Sequence, residues 1–414
     1  MKENKKYSRK LDEQANVFAL TSSEKYCSIF RFSVELKEKV DSNILKESLN
    51  ITLEKYKAYK VRLKEGFFSF YLEENEKEPI IFEEEKTEFK KINTKENNDY
   101  LFKVTYFDNK IYVQFFHALT DGNGGVKFFK DLVCNYLKLK NNITDSNEDS
   151  VVIEDTEDAY LKVYKEFTGK GDKVKFAYRI KGTDFEDDRI EVNNLSIDLN
   201  LLKNVSKEKE VSLSVFVIAL IVYSIYETNY LNNNDKRPVN LNVPIDLNRY
   251  FETNTISNFF SYVTLDFVFD ENKKYTFNDI LKIAYEKYLY KVQKDYFMNN
   301  ISANIRKTNS TFIKMIPLKI KHPAFRVGSR FIKKTFSMTI SNMGKIEIDD
   351  VYKEYVDKMY ITLVPDWVEK IKIGISSFEN NLVISFGRKI KETFIQDKIK
   401  ELLKENNITF VEFN

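Results

Sequence analysis

The longest apolar stretch in the chain, Val211 to Tyr226, is interrupted only by Ser212, Ser214 and Ser224. A bilayer-spanning helix needs about 20 apolar residues. The run falls short of that and is expected to form a helix buried inside a core. A helix apolar on every side must be covered on every side, which demands surrounding layers of structure. A chain of 414 residues exceeds the usual size of one domain and can supply those layers as two. Hydrophobic residues at 43% and aromatics at 14% exclude global disorder, and 11 Gly with 6 Pro exclude collagen-like and low-complexity chains.

Strand and helix signals alternate along the chain. Ser28 to Leu36 alternates in hydrophobicity and predicts a strand; Asp41 or Ser42 then caps a helix with Ile44, Leu45, Leu49 and Leu53 on one face. Leu101 to Phe107 and Lys110 to Phe116 flank Asp108-Asn109 and predict a hairpin. Val126, Phe129, Leu132, Val133, Tyr136 and Leu137 keep helical spacing to about Leu139. Asn141 to Asp158 is polar and acidic, as solvated linkers are, and places a domain boundary there. Helical spacing at Ala159 to Phe167 fits either side of it. Beyond the Val211 helix, strands are expected at Val239–Pro244, Asn258–Phe269, Ser337–Ser341, Met359–Leu363, Ile371–Phe378 and Leu382–Phe386. Helices are expected at Phe277–Val292 and Glu392–Lys404. The pattern is α/β, with one domain over residues 1–158 and a second of related shape over 159–414.

Charge and composition remove several functions. Lys and Arg number 66 against 63 Asp and Glu, a formal net charge of +3, so a general nucleic-acid binder is not expected. Only two Cys and two His occur, and Cys27, Cys134, His117 and His322 do not assemble a zinc site; no metal is expected. Few cysteines in so long a chain fit a reducing compartment. Met1 to Lys6 leads into charged residues with no apolar stretch behind it, so no secretory signal is expected, and the reading is a soluble, cytoplasmic protein.

The most informative segment is Phe115-Phe116-His117-Ala118-Leu119-Thr120-Asp121-Gly122-Asn123-Gly124-Gly125. A histidine at a strand end, followed by a tight turn, has a fixed backbone and an available ring, and imidazole is the side chain best suited to accept a proton near neutral pH. Asp121 is placed to brace the turn, and Gly122 to supply a positive φ where the chain reverses. The glycine cluster lacks the Gly-Lys-Ser/Thr ending of a phosphate loop and the full dinucleotide fingerprint, so no nucleotide is expected on it.

His117-x-x-x-Asp121-Gly122 resembles the active-site motif of the thioester-dependent acyltransferases that share the chloramphenicol-acetyltransferase-like fold. That group includes alcohol acetyltransferases and nonribosomal-peptide condensation domains. Three further segments fall in the order the family has them. Asn242-Val243-Pro244-Ile245-Asp246-Leu247-Asn248-Arg249 resembles the strand-and-arginine segment of the second domain. Asn258-Phe259-Phe260 resembles its Asn-Phe strand, and Thr339-Ile340-Ser341-Asn342-Met343-Gly344 its Ser-Asn-Leu-Gly segment. The resemblance spans most of the chain, with specific matches in these four places. Many members carry two adjacent histidines; here Phe116 stands in the first place, and the second, which acts as base in the family, is kept as His117. That difference favours a free acyltransferase over a condensation domain.

The resemblance implies two domains, each a mixed sheet covered by helices, with the active site in a channel between them. It implies acyl transfer from acyl-CoA, or from a phosphopantetheine thioester, to a hydroxyl or amine of a small-molecule acceptor. His117 would be the general base, with no covalent intermediate and no permanently bound cofactor. No Gly-x-Ser-x-Gly elbow occurs in the chain, in agreement. Asp121 would be structural, paired with an arginine, and Arg249 is the candidate partner. Strand alternation sets Ser337, Thr339 and Ser341 on one face, which makes Thr339 and Ser341 candidate oxyanion donors or substrate contacts, with the backbone N–H groups around Gly122 in support. Two rival readings remain: a stand-alone condensation enzyme using an acyl carrier protein in trans, and a non-catalytic binding protein of the same fold.

Charge is also segregated. Between Tyr296 and Lys345 there is no Asp or Glu, while ten Lys and Arg occur, among them Lys314, Lys319, Arg326 and Arg330. Donor phosphates, an acidic carrier protein and an anionic membrane surface are all suited to such a stretch. His322, inside it, has no partner pattern and reads as structural or surface.

Overall fold

In a computed structural model of the chain, the described residues are 8–23, 26–84, 89–92, 94–144, 156–164, 175–308 and 311–414. Their strands are β1 (Ser8–Lys10), β2 (Ile29–Leu36), β3 (Val61–Glu65), β4 (Phe70–Glu74), β5 (Ile81–Glu83), β6 (Phe102–Phe107), β7 (Lys110–Phe116), β8 (Glu191–Asp198), β9 (Val239–Asp246), β10 (Phe260–Phe267), β11 (Met338–Lys345), β12 (Val356–Leu363), β13 (Ile371–Phe378), β14 (Asn381–Arg388) and β15 (Phe410–Phe413). They form a five-stranded sheet in the order β12-β2-β7-β6-β5, a seven-stranded sheet in the order β10-β9-β11-β13-β14-β8-β15, and a small sheet β1-β4-β3. Both large sheets are mixed. β5 runs parallel to β6, and β11 runs parallel to both β9 and β13, while the other pairs are antiparallel.

The first sheet grows from the hairpin. β6 and β7 pair from Phe107↔Lys110 to Phe102↔Phe115, with Asp108 at positive φ in the turn. Ile111, Val113 and Phe115 point to one side and are buried; Phe30, Phe32 and Val34 of β2 join them. Helices Ser42–Lys55 and Gly122–Asn141 cover that face. The first is capped by Asp41 and inserts Leu45, Leu49 and Leu53; the second inserts Phe128, Phe129, Leu132, Val133, Tyr136 and Leu137.

The second sheet packs on the apolar run. Residues Leu213–Ile225 form a helix capped by Ser212, and a π-helical turn Tyr226–Tyr230 continues it. By length and composition Leu213–Tyr230 is apolar enough to cross a bilayer, but most of it is buried inside the protein. Val215 to Val222 are all buried, against Leu241, Ile340, Ile373, Ile384 and Phe386 of the sheet. Each such side chain removed from water contributes about 1.5–3 kcal/mol, which is why this run, read as a core helix, sits where it does.

The chain does not divide at residue 158 as expected. Ile346, Ile348, Tyr352, Val356 and Met359 belong to the first core, and β12 completes the first sheet by pairing with β2 from Val356↔Leu36 to Leu363↔Phe30. The strand expected at Met359–Leu363 lies within β12, which begins three residues earlier; period-two alternation says nothing of which sheet a strand joins. Most of the acidic run 141–158 lies outside the described residues, as does the end of the helix expected at Ala159–Phe167, of which Ala159–Val163 is helical. Further helices occupy the basic stretch, at Lys294–Thr308, Thr311–Met315 and Leu318–Lys333.

β12 reaches the first sheet by passing over the second. Gly374 of β13 and Gly387 of β14 make room: a Cβ on Gly374 would run into the carbonyl of Ile361, and one on Gly387 into that of Leu363. Both obstacles are backbone, so neither can swing aside. Gly374→Ala is therefore expected to destabilise the protein by about 1–3 kcal/mol, measured as a lower midpoint in chemical denaturation; an unchanged midpoint would show that the crossing tolerates a side chain.

Candidate active site

His117 follows the last residue of β7, and its backbone N–H donates to Ser28 O at 3.0 Å. The chain then turns and enters the helix Gly122–Asn141. Asp121 caps that helix, with Oδ1 accepting from the N–H of Asn123 (3.0 Å) and Gly124 (3.1 Å). Gly122 is the first helical residue. Among the described residues only Gly344 is a glycine at positive φ, so the expected reversal at Gly122 does not occur. What Gly122 supplies is space: a Cβ there would stand 2.7 Å from Met343 Sδ.

The turn is held by the second unit, through the segment just before β10. Oδ2 of Asp121 accepts from Phe259 N at 2.7 Å. Asn258 Nδ2 donates to His117 O at 2.9 Å and to Asp12 Oδ2 at 3.1 Å. Thr120 Oγ1 donates to Ile256 O at 2.8 Å and accepts from Tyr59 OH at 2.8 Å. Asp121 is thus structural in a way not expected. Its partners are three backbone N–H groups and no arginine, and Arg249 is largely exposed, 3.9 Å from Asp246. Arg249 does line the cavity described below. Burial pushes the Asp121 carboxyl up to about 7, against the pull of the Phe259 and Gly124 donors, with Asp246 and Asp12 raising it further.

The His117 ring lies between aromatics. It stacks on Phe18 at 4.5 Å between centroids and 18° between planes, with Phe30 at 4.5 Å and Phe260 at 6.3 Å. Phe18 is delivered by the helix Glu13–Thr21, whose cap Asp12 also grips Asn258. Nδ1 is buried with no hydrogen-bond partner among the described residues, so the edge carrying Nε2 is the one left to the cavity. Burial lowers the ring's pKa to about 3, and the Lys372 cation lowers it further, outweighing the opposing pull of Asn258 and Thr120. The ring is a neutral imidazole across the physiological range.

A cavity of about 730 Å³ lies beside His117 and is lined from both large sheets. Thr339 and Ser341 line it together, as their alternation predicts, but they are not equivalent. Thr339 Oγ1 donates to Glu369 Oε1 at 2.6 Å and accepts from Asn242 Nδ2 at 3.2 Å, so its proton is committed and it is not a free oxyanion donor. Ser341 has no such commitment among the described residues. The N–H groups of Asn123 and Gly124 are taken by Asp121, which removes them as oxyanion donors.

One wall of the cavity was not foreseen. Lys333, Asp366, Glu369 and Lys372 line it as a closed charge network. Asp366 Oδ2 meets Lys333 Nζ at 3.0 Å and Lys372 Nζ at 3.2 Å, and Glu369 Oε2 lies 3.6 Å from Lys372 Nζ. Asp366 and Glu369 are almost fully buried. The Asp366 carboxyl is held far below its ordinary range by the two lysines despite burial, and burial lowers Lys333 to about 8 against the attraction of Asp366. His322 is structural, as expected: Nδ1 is 3.1 Å from Leu20 O and the ring packs edge-on to Phe70 at 5.3 Å.

No family model matches the sequence, and no curated protein matches it by sequence. Solved structures match it over nearly their full length. TRI101 of F. sporotrichioides, complexed with coenzyme A and T-2, superimposes with a TM-score of 0.63 at 9% identity, covering 98% of this chain and 99% of that one. This chain has the chloramphenicol-acetyltransferase-like fold. The condensation domain of the Monacolin K polyketide synthase MokA shares the chloramphenicol-acetyltransferase-like architecture with a TM-score of 0.59 at 10% identity over 97% and 98% of the two chains. Polyketide synthase associated protein 5 from Mycobacterium tuberculosis does so with 0.56 at 13% over 95% and 96%. At these identities the likeness is one of fold.

Two measurements test the geometry. Asp121→Asn keeps an acceptor for Asn123 and Gly124 but turns an amide NH2 against the Phe259 N–H; a loss of about 1–3 kcal/mol is expected. Arg249→Ala should stay within about 0.5 kcal/mol of the parent; the opposite ranking in denaturation midpoints would restore the arginine as the partner. The pH dependence follows from His117. A base works deprotonated, and lowering its pKa from 6.5 to about 3 extends the active range to acid. His117 should therefore give kcat/KM no inflection near pH 6.5, and an acid limb there that persists in Asp121→Asn, and so is not the Asp121 carboxyl, would show that the ring is solvated in the free protein.

Proposed function

We propose that the chain is an acyltransferase that moves an acyl group from an acyl-CoA thioester to an alcohol hydroxyl, with His117 as general base. The observation that carries this is the His117 ring, stacked on Phe18 and lining a cavity to which both large sheets contribute. Nε2 takes the hydroxyl proton as the oxygen attacks the thioester carbonyl. The tetrahedral oxyanion is met by the Ser341 hydroxyl, which lines the cavity and, unlike Thr339, is not committed to Glu369. Collapse breaks the carbon–sulfur bond, and the departing thiolate takes the proton back from the imidazolium. A depressed pKa suits that return, because the protonated ring gives up its proton readily. An amine acceptor follows the same path.

Coenzyme A as donor is supported by one end of the cavity. Lys127 and Lys130, on the helix that Asp121 caps, line it together with Arg249 and Lys345. These ends meet: Met343 abuts Gly122, and Arg249 Nη2 lies 4.0 Å from the Cβ position of Gly344. Neither Lys127 nor Lys130 forms an ion pair with a carboxylate among the described residues. Four cations at a cavity mouth suit the phosphates of a nucleotide-bearing donor. The deep wall, with Glu369, Lys372 and Tyr262, is polar and suits a hydroxylated acceptor.

The test is thiol release from a panel of acyl-CoAs with short alcohols and amines. His117→Ala should lose about 10²–10⁴-fold in turnover while keeping its fold; full activity in a folded variant defeats the mechanism. Lys127→Glu with Lys130→Glu should raise KM for acyl-CoA and leave KM for an N-acetylcysteamine thioester, which has no phosphates, little changed. Release only from carrier-bound thioesters would assign a condensation-type enzyme, and silence with every donor a binding protein.

A further inference from the structure

The helix Leu318–Lys333 has two working faces. Inward, Phe325 packs on the first core, His322 meets Leu20 O, and Ser329, Ile332 and Lys333 line the cavity. Outward, Ile320, Ala324, Val327 and Phe331 follow at spacings of four, three and four residues, which sets them in one stripe along the helix. All four are exposed. Lys319, Arg326, Arg330 and Lys334 border the stripe and are exposed as well.

The stripe does not stand alone. The tip of the β3–β4 hairpin carries Phe67 and Phe68, and it is tied to the helix start by Leu318 N to Phe67 O at 2.9 Å and Lys321 Nζ to Phe68 O at 2.8 Å. Met315 precedes the helix. At the other end Arg330 lies 5.6 Å over the ring of Trp367. These bulky side chains, from Phe67 at the tip to Trp367, are 47% to 72% exposed. A soluble surface rarely leaves so many large apolar side chains together.

We propose that this face binds an anionic lipid surface, with Phe67, Phe68, Ile320, Val327 and Phe331 entering the headgroup region and the bordering cations meeting lipid phosphates. Charge complementarity selects that occupant. No Asp or Glu occurs from Tyr296 to Lys345, so nothing within the stretch opposes a negative surface. The combination of an apolar stripe, flanking Lys and Arg and a neighbouring Trp is that of a helix lying in a membrane interface. Side chains that project singly from a helix and a hairpin tip are accommodated by a yielding bilayer. The opposite side of the helix lines the cavity, so binding holds the cavity against the surface, where an acyl chain or an apolar acceptor partitions.

The experiment is flotation of the full chain with vesicles of phosphatidylcholine alone and of phosphatidylcholine mixed with phosphatidylglycerol. Binding to the mixed vesicles, at least about 10-fold tighter than to the neutral ones, is expected. Val327→Asp with Phe331→Asp should abolish it, and Arg330→Glu with Lys334→Glu should weaken it by about 10- to 30-fold. None of these residues lines the cavity, so thiol release from soluble substrates and the denaturation midpoint should match the parent. Failure of the wild type to bind mixed vesicles overturns the proposal. So does binding that survives Val327→Asp with Phe331→Asp, which would mean a charge contact alone. A dimer in solution that this pair dissolves would assign the face to a second copy instead. Binding is read without turnover, so its outcome is independent of the acyl-transfer reading.

Discussion

Asp121 carries the junction between the two halves of the molecule. Its carboxylate satisfies two N–H groups at the start of the helix Gly122–Asn141 and one, from Phe259, in the other unit. Among the described residues no cation accompanies it. Backbone donors have a fixed position, whereas an arginine side chain brings several rotatable bonds, so this latch defines the turn more tightly than an ion pair. Everything near His117 is registered to it: Asn258 on the His117 carbonyl, Thr120 on Ile256, and Tyr59 behind both. The ring is then confined by Phe18 and Phe30.

The same burial that orders His117 also sets its chemistry. A ring with a depressed pKa is a weak base in isolation, but it stays unprotonated to lower pH than a free imidazole does. Lys372 contributes to that depression from a network whose two lysines and two carboxylates balance in charge. Breaking such a network leaves an uncompensated buried charge, which costs about 3–5 kcal/mol. The network also fixes Thr339 through Glu369.

Most local signals in the sequence were sound, the reversal expected at Gly122 being an exception. Asp108-Asn109 does turn the hairpin, Asp41 and Ser212 do cap their helices, and Ile371–Phe378 is a strand over the expected residues. His117 stood out because histidine is rare here and ends a strand. What faces it was not legible: Phe18 lies 99 residues before it in the chain, Asn258 lies 141 after, and periodicity holds no information at that range. The Lys333–Asp366–Glu369–Lys372 network was invisible for another reason. Lysines and carboxylates are read as surface residues, and these are buried only because they neutralise one another. The arginine expected opposite Asp121 failed because a backbone N–H leaves no trace in residue type.

The crossing of β12 bears on how the chain folds. The edge of β2 is closed by residues 356–363, more than three hundred positions downstream. A chain emerging from its amino terminus can build the β6–β7 hairpin and its helices early, but that edge stays open until nearly the whole polypeptide exists. Closing a loop of that span is slow, and an unpaired edge strand is prone to wrong partners in the interval. β12 also lies across Gly374 and Gly387 of the second sheet, so the closing of the first sheet is coupled to the packing of the second. Neither half can mature as an independent folding unit, and the two are obliged to reach the native state together.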